Sequence, residues 1–184
     1  MKNENQFLTS WVYACRGTQM GVGMIRIMFV CLGNICRSPM AEFVFRDMIK
    51  KKGLESMICC ESSATSTEEI GNPVHYGTKK KLKEVGVLVE GKQAVQLKRG
   101  DYDKYELILG MEQRNITNMM RILGSDPLGK VRRLLDFSEC PRDIADPWYT
   151  GDFETTYQDI YEGCDYLLSY LIGHYGIPAK KVRD

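Results

Sequence analysis

Residues 25–43 read IRIMFVCLGNICRSPMAEF, and the way this stretch divides decides the fold. Ile25–Val30 is a nearly unbroken apolar run of strand length, as expected of a strand covered on both faces. From Ser38 the period changes. Met40, Val44 and Met48 recur every four residues with Ala41, Phe45 and Ile49 beside them, which predicts a helix over 38–52. Ser38 is a natural N-cap, Pro39 fits the first turn, and Glu42 sits where the helix dipole favours an acid.

The same alternation continues outward. MICCES (57–62) is predicted as a second strand and VHYGTKKKLKEV (74–85) as a second helix closed by Gly86. YELILGM (105–111) is a third strand. It leads into the helix EQRNITNMMRIL (112–123), with Ile116, Met119, Met120 and Leu123 on one stripe and Gly124 as the stop. VRRLLDF (131–137) is the fourth strand, and the last helix places Phe153, Tyr157, Ile160, Tyr161, Cys164, Leu167, Leu168 and Leu171 on one face. Strand and helix repeated four times imply an α/β fold, a four-stranded parallel sheet flanked by helices on both faces. In such sheets a ligand binds beyond the carboxyl ends of the strands, where strand order reverses. The loop CLGNICR leaves the first strand at that end.

Bulk properties narrow the function. The 184 residues suit one domain. We assign residues 24–178 to it, with 1–23 as an N-terminal extension (an appendage or an over-long reading of the gene) and 179–184 as a tail. A net charge of +1 gives the whole molecule no electrostatic case for nucleic acid or a membrane surface. The lysine runs at 50–52 and 79–83 are expected on solvated helix faces. No apolar run approaches the roughly 18 residues of a membrane span, and the start of the chain makes a poor signal peptide. Seven cysteines, two of them adjacent, make a poor disulfide framework and fit a reducing cytoplasm. The spacing of the cysteines and two histidines resembles no metal site, and His75 and His174 are expected to be surface or helix-end residues.

The first loop has the makings of an anion cradle with a nucleophile in it. Gly33 and Asn34 are residue types that tolerate left-handed backbone angles and so can turn successive N–H groups inward. Such a nest at a helix start attracts an anion. Arg37 adds a planar cation that fits two phosphate oxygens. Cys31 sits at the mouth, and the field that would hold a phosphate dianion also stabilises a thiolate. No Gly-Lys-Ser/Thr follows, so this is not a nucleotide-binding phosphate loop. Displacement at phosphorus asks for positioning and charge neutralisation, which amides and Arg37 supply without metal or cofactor.

A phosphate ester also needs a general acid for its leaving oxygen. ADPWYTGDF (145–153) offers Asp146, kept out of helical angles by Pro147. Trp148 and Tyr149, next in sequence, could wall a slot for a flat aromatic leaving group. Asp136 and Asp143 lack such neighbours and are weaker candidates.

VCLGNICRSPMAE near the start of the domain and DPWYTGDFETTY near its end resemble the low-molecular-weight protein tyrosine phosphatases. TSTEEIGNPVHYGTKKKLKEVGV between them is similar to bacterial members, and the resemblance covers about residues 24–175. It implies a flavodoxin-like sheet of the phosphotyrosine phosphatase I type. The implied chemistry is metal-independent hydrolysis of phosphotyrosine in proteins, and of small aryl phosphates, through a cysteinyl-phosphate. By position, Cys31 is then the nucleophile, Arg37 binds the phosphoryl group, and Asp146 is the acid and later the base. Asn34, Ser38 and Ser62 match loop-bracing residues, with the Ser38 hydroxyl assisting Cys31 as a leaving group. Leu32, Ile35, Trp148 and Tyr149 match the slot mouth. Cys36 matches a second loop cysteine that can form a disulfide with the nucleophile on oxidation. Two departures stand out: Glu112 where aspartate is more usual, and Glu68 where some members carry an aromatic rim residue.

Three rivals share the fold or the loop. Arsenate reductases need further redox cysteines after the second helix, and residues 87–111 contain none. Protein-arginine phosphatases of the same family carry threonine where this loop has Ile35, and an apolar residue suits an aromatic ester better than a phosphoguanidinium. A silent phosphate-binding module would not need Asp146.

Overall fold

The computed structural model describes residues 23–177. The expected N-terminal extension, apart from Gly23, and the expected tail lie outside the described residues. Strand β1 (Ile25–Cys31) is followed by helix α1 (Arg37–Lys51), β2 (Ile58–Ala64), α2 (Tyr76–Glu84) and β3 (Leu107–Gly110). Then come α3 (Gln113–Leu123), β4 (Val131–Arg133), a short α4 (Pro147–Thr150) and the long α5 (Phe153–His174). All strand pairs are parallel, in the order β2-β1-β3-β4. The chain therefore steps left from β1 and returns to its right, and the switch lies beside the carboxyl end of β1, where Cys31 stands.

β1 is buried on both faces because it is central. Ile25, Ile27, Phe29 and Cys31 point into one core with α1 and α5, through Met40, Val44, Ile160 and Leu167. Met28 and Val30 point into a second core under α3, with Ile108, Met119 and Leu123. Phe29 meets Phe45 of α1 edge to face, with ring centroids 5.6 Å apart, a geometry that adds about 0.5–1.5 kcal/mol to the burial itself. The lysines at 50–52 and at 79, 80 and 83 are exposed, while Lys81 is half-buried against Glu154. Among the described residues no helix is long and apolar enough to cross a membrane.

Several elements differ from expectation. The predicted fourth strand, 131–137, keeps its extended form only to Arg133, and Leu134–Phe137 is a 3₁₀ helix. Asp136 causes the break, because its carboxylate reaches back to the Arg133 N–H at 2.9 Å. The turn puts Leu134 and Leu135 both inside, which the alternation of a strand forbids. Leu134 fits because α5 carries Gly163 there: a Cβ on Gly163 would lie 2.6 Å from Leu134 Cγ. β2 runs two residues further than predicted and β3 is shorter at both ends.

Tyr161, expected on the buried stripe of α5, is 49% exposed. Helix α1 begins at Arg37, so Ser38 is not its N-cap. Cys36 holds that position without a side-chain cap, and the Ser38 hydroxyl is used elsewhere. Glu42 lies beyond the first turn and answers to side chains rather than to the helix dipole.

Candidate active site

The loop that follows β1 is built from Asn34 outward. Asn34 is the one non-glycine residue with positive φ (57°) among the described residues, an angle asparagine adopts at low cost. Gly33, expected to share that role, does not. Its need is for space, since a Cβ there would stand 3.1 Å from Glu69 Cγ. The left-handed turn brings the Asn34 N–H to 3.2 Å from Cys31 Sγ.

The Asn34 side chain, 1% exposed, then fixes the rest of the loop. Its Oδ1 accepts the Val95 N–H at 3.1 Å, which sets the direction of the amide. Its Nδ2 therefore donates to both Ser38 Oγ (2.9 Å) and Ser62 Oγ (2.8 Å). Ser38 Oγ, already an acceptor, lies 3.0 Å from Cys31 Sγ and 3.4 Å from the Ser63 carbonyl, so when Cys31 is a thiolate its hydrogen goes to the sulfur. Ser62 Oγ donates to Glu42 Oε2 at 2.5 Å.

The buried Glu42 carboxylate is balanced by Arg46 and by Lys92 at 3.2 Å, and Lys92 also holds the Ser62 carbonyl at 2.7 Å. The donors thus run outward from Asn34, through Ser62 to the Glu42 carboxylate on one side and to Ser38 beside the sulfur on the other. That is the arrangement that suits a thiolate.

In the same loop the backbone N–H groups of Leu32, Gly33, Ile35 and Cys36 donate to no acceptor among the described residues. Unpaired N–H groups converging at a helix start are what an oxyanion needs. Arg37 is 1% exposed. Its guanidinium donates to the Ile144 carbonyl (3.1 Å), Glu112 Oε1 (2.9 Å) and Asp146 Oδ2 (2.5 Å). Its Nε is buried without a partner among the described residues, so that N–H and the second one on Nη1 remain for ligand oxygens. Burial opposes the charge on Arg37, but Cys31, Asp146 and Glu112 more than offset it, so its pKa lies above the ordinary value. Glu112 therefore braces Arg37 even though it replaces the more usual aspartate, and Asn115 caps the turn behind it by accepting the Met111 and Glu112 N–H groups.

Asp146 is the N-cap of α4. Its Oδ1 accepts the Trp148 N–H at 3.1 Å while Oδ2 faces Arg37, so the carboxyl is held from both sides. It lines a cavity of about 130 Å³ together with Cys31, Leu32, Gly33, Ile35, Cys36, Trp148 and Tyr149, and with Glu68 and Glu69 at the mouth. The predicted slot residues thus meet there, while Arg37 reaches it through its bond to Asp146 and Asn34, Ser38 and Ser62 brace the Cys31 loop. Asp136 and Asp143 instead pair with Arg133, at 2.8 and 2.9 Å, and do not line the slot.

Burial, helped by the charges of Cys31 and Asp146, pushes the Cys36 thiol up to about 12. The two loop cysteines are therefore unlike: one surrounded by donors, the other held neutral.

Sequence reasoning missed Glu42, Lys92 and Val95, whose only signal is proximity across the fold. His75 is at a helix end as expected, capping α2 by accepting the Gly77 N–H at 3.1 Å, but its part at the slot was not foreseen. The His75 ring stacks on Phe153 at 5.4 Å and meets Trp148 edge-on at 5.6 Å, bracing one slot wall.

The family described as low molecular weight phosphotyrosine protein phosphatase matches residues 26–174. The low molecular weight protein-tyrosine-phosphatase YfkJ of Bacillus subtilis is 43% identical over 148 residues, covering 79% of this chain and 95% of that protein. PtpA of Staphylococcus epidermidis, named in the same way, is 37% identical over 150 residues, covering 81% and 95%. The crystal structure of the B. subtilis protein superposes with a TM-score of 0.81 at 41% identity, covering 85% of this chain and 99% of that one. That of the Streptococcus pyogenes low molecular weight protein tyrosine phosphatase gives 0.74 at 36%, covering 85% and 100%.

Proposed function

The chain belongs to the low molecular weight phosphotyrosine protein phosphatase family, and from that premise we propose that it hydrolyses phosphotyrosine in proteins with Cys31, Arg37 and Asp146 as its catalytic residues. The observation that carries the reading is the buried Nε of Arg37 and the N–H groups of the Cys31 loop, all without a partner among the described residues. That set is complementary to a tetrahedral dianion placed directly over a nucleophile.

In the first step the Cys31 thiolate attacks phosphorus as the bond to the tyrosyl oxygen breaks. The protonated Asp146 carboxyl gives that oxygen its proton, so the leaving group departs as a neutral phenol. Arg37 and the loop amides hold the three phosphoryl oxygens as charge spreads over them. In the second step the Asp146 carboxylate takes a proton from water, the oxygen attacks phosphorus, and the sulfur–phosphorus bond breaks. The Ser38 hydroxyl, 3.0 Å from Sγ, stabilises the sulfur as it recovers its negative charge. Trp148 and Tyr149 flank the ring of the leaving group, and the buried Ile35 gives the slot an apolar lining. Such a lining favours an aryl ester over phosphoarginine.

Partners are tyrosine-phosphorylated proteins, and inorganic phosphate or a like oxyanion competes in the loop. We place the work in the cytoplasm, because Cys31, Cys36, Cys140 and Cys164 are free thiols, as a reducing compartment allows.

Steady-state kinetics on a phosphotyrosine peptide, phosphoarginine and arsenate test the assignment, with wild type and Cys31→Ser side by side. Turnover of the phosphotyrosine peptide, unchanged by EDTA and abolished in Cys31→Ser, is expected. Faster turnover of phosphoarginine, arsenate reduction, or undiminished activity in Cys31→Ser would contradict it.

A further inference from the structure

The slot is positive at its floor and negative at its mouth. At the floor are Arg37, with its unpaired Nε, and the loop N–H groups. At the mouth are Glu68 and Glu69, and among the described residues no lysine or arginine joins them there. Among the described residues neither glutamate forms a salt bridge. Glu68 is exposed, and the Glu69 carboxylate accepts one neutral bond, from Asn72 Nδ2 at 2.7 Å. The Glu69 stem lies against Gly33 of the catalytic loop, so this charge sits beside the path of the phosphate.

Two uncompensated carboxylates at the entrance of a site for a dianion work against the phosphate alone. They favour a substrate that brings cations next to it. Also at the mouth, Trp148 and Tyr149 are 56% and 74% exposed, and they offer aromatic faces on which a guanidinium stacks better than an ammonium.

We infer that the protein selects phosphotyrosine sites flanked by basic residues, arginine above lysine, and that Glu68 and Glu69 are the residues that make the selection. The inference rests on the phosphatase reading above and adds the class of protein segment that the slot accepts. Glu68 and Glu69 act by attraction and take no part in bond making.

The test uses phosphotyrosine peptides of one length, flanked by arginine, lysine, alanine or glutamate, with p-nitrophenyl phosphate run beside them to read the chemistry. The expected order of kcat/KM is arginine, lysine, alanine, glutamate. The spread between the ends should be about tenfold at low salt, the size of two exposed charge pairs, and it should shrink as salt is added. In the double variant Glu68→Gln, Glu69→Gln, where the Asn72 bond keeps its acceptor, the spread should collapse through KM. In Glu68→Lys, Glu69→Lys it should invert.

Equal kcat/KM across the peptides, with p-nitrophenyl phosphate still hydrolysed, would overturn the inference and leave the phosphatase reading standing. So would a spread that survives the double neutralisation. No hydrolysis of p-nitrophenyl phosphate would overturn both.

Discussion

Replacing Asn34 with alanine should damage both the stability of the fold and the reactivity of Cys31. The side chain makes three hydrogen bonds in a site 1% exposed: to Ser38, to Ser62 and from the Val95 N–H. At about 0.5–1.5 kcal/mol each, their loss costs about 1.5–4.5 kcal/mol. Alanine must also hold the positive φ of 57°, which adds about 1–2 kcal/mol. The sum, about 2.5–6.5 kcal/mol, is a large part of the 5–15 kcal/mol that typically separates a domain from its unfolded state. Asn34→Gly removes the same bonds without the backbone strain and should be less destabilised by about 1 kcal/mol.

Urea unfolding followed by far-UV circular dichroism reads both variants, with the m-value checking that the unfolded states are comparable. Below the unfolding transition, kcat on an aryl phosphate should fall at least tenfold in both, because Ser38 loses the bond that directs its hydrogen at Cys31. A loss of stability below about 1 kcal/mol in Asn34→Ala, or an alanine variant no weaker than the glycine one, would refute the reasoning.

Asp146→Ala should lower kcat by about 10²–10⁴ for phenyl phosphate and far less for p-nitrophenyl phosphate, whose leaving group needs little protonation. A plot of rate against leaving-group pKa shows the difference, and a uniform loss across the series would remove Asp146 from the acid role. Cys36, pushed up to about 12, should resist iodoacetamide at neutral pH while Cys31 reacts, as peptide mass mapping will show. The sign for stability follows, since the folded pKa of Cys36 lies above the unfolded value. Its contribution is complete below the unfolded pKa of about 8.5 and is lost as pH rises toward 12. Cys36→Ala should therefore flatten the alkaline limb of a plot of unfolding midpoint against pH. On oxidation Cys36 is proposed to capture the oxidised Cys31 as a disulfide, so peroxide inactivation should be reversed by dithiothreitol in wild type and become irreversible in Cys36→Ser. Gly163→Ala, whose Cβ would meet Leu134 Cγ at 2.6 Å, should cost about 1–3 kcal/mol, visible as a lower Tm.

The sheet was readable because parallel strands buried on both faces spell contiguous apolar runs, as Ile25–Val30 does. The centre of the site was readable because a cysteine, a turn-former and an arginine fall between such a strand and a helix. Local pattern stops being informative where distant chain segments decide. Leu134 and Leu135 look like strand until Asp136 turns the chain and Gly163, far along the sequence, makes room for Leu134. Ser38 looks like a helix cap because the competing demand for its hydroxyl comes from Cys31 and Asn34. Glu42 looks like a dipole partner because Ser62, Arg46 and Lys92 are not visible from α1 alone. Gly33 was matched to a left-handed angle when its real constraint is the Glu69 stem packed against it. In each case the residue type was informative and its partner was not.

The most direct test of the account is to catch the phosphoryl group on the sulfur. Wild-type protein mixed with excess p-nitrophenyl phosphate, quenched during turnover and digested, should yield a peptide containing Cys31 heavier by one phosphoryl group, and Cys31→Ser should yield none. Continued turnover with no such adduct, or an adduct on any other residue, would contradict it.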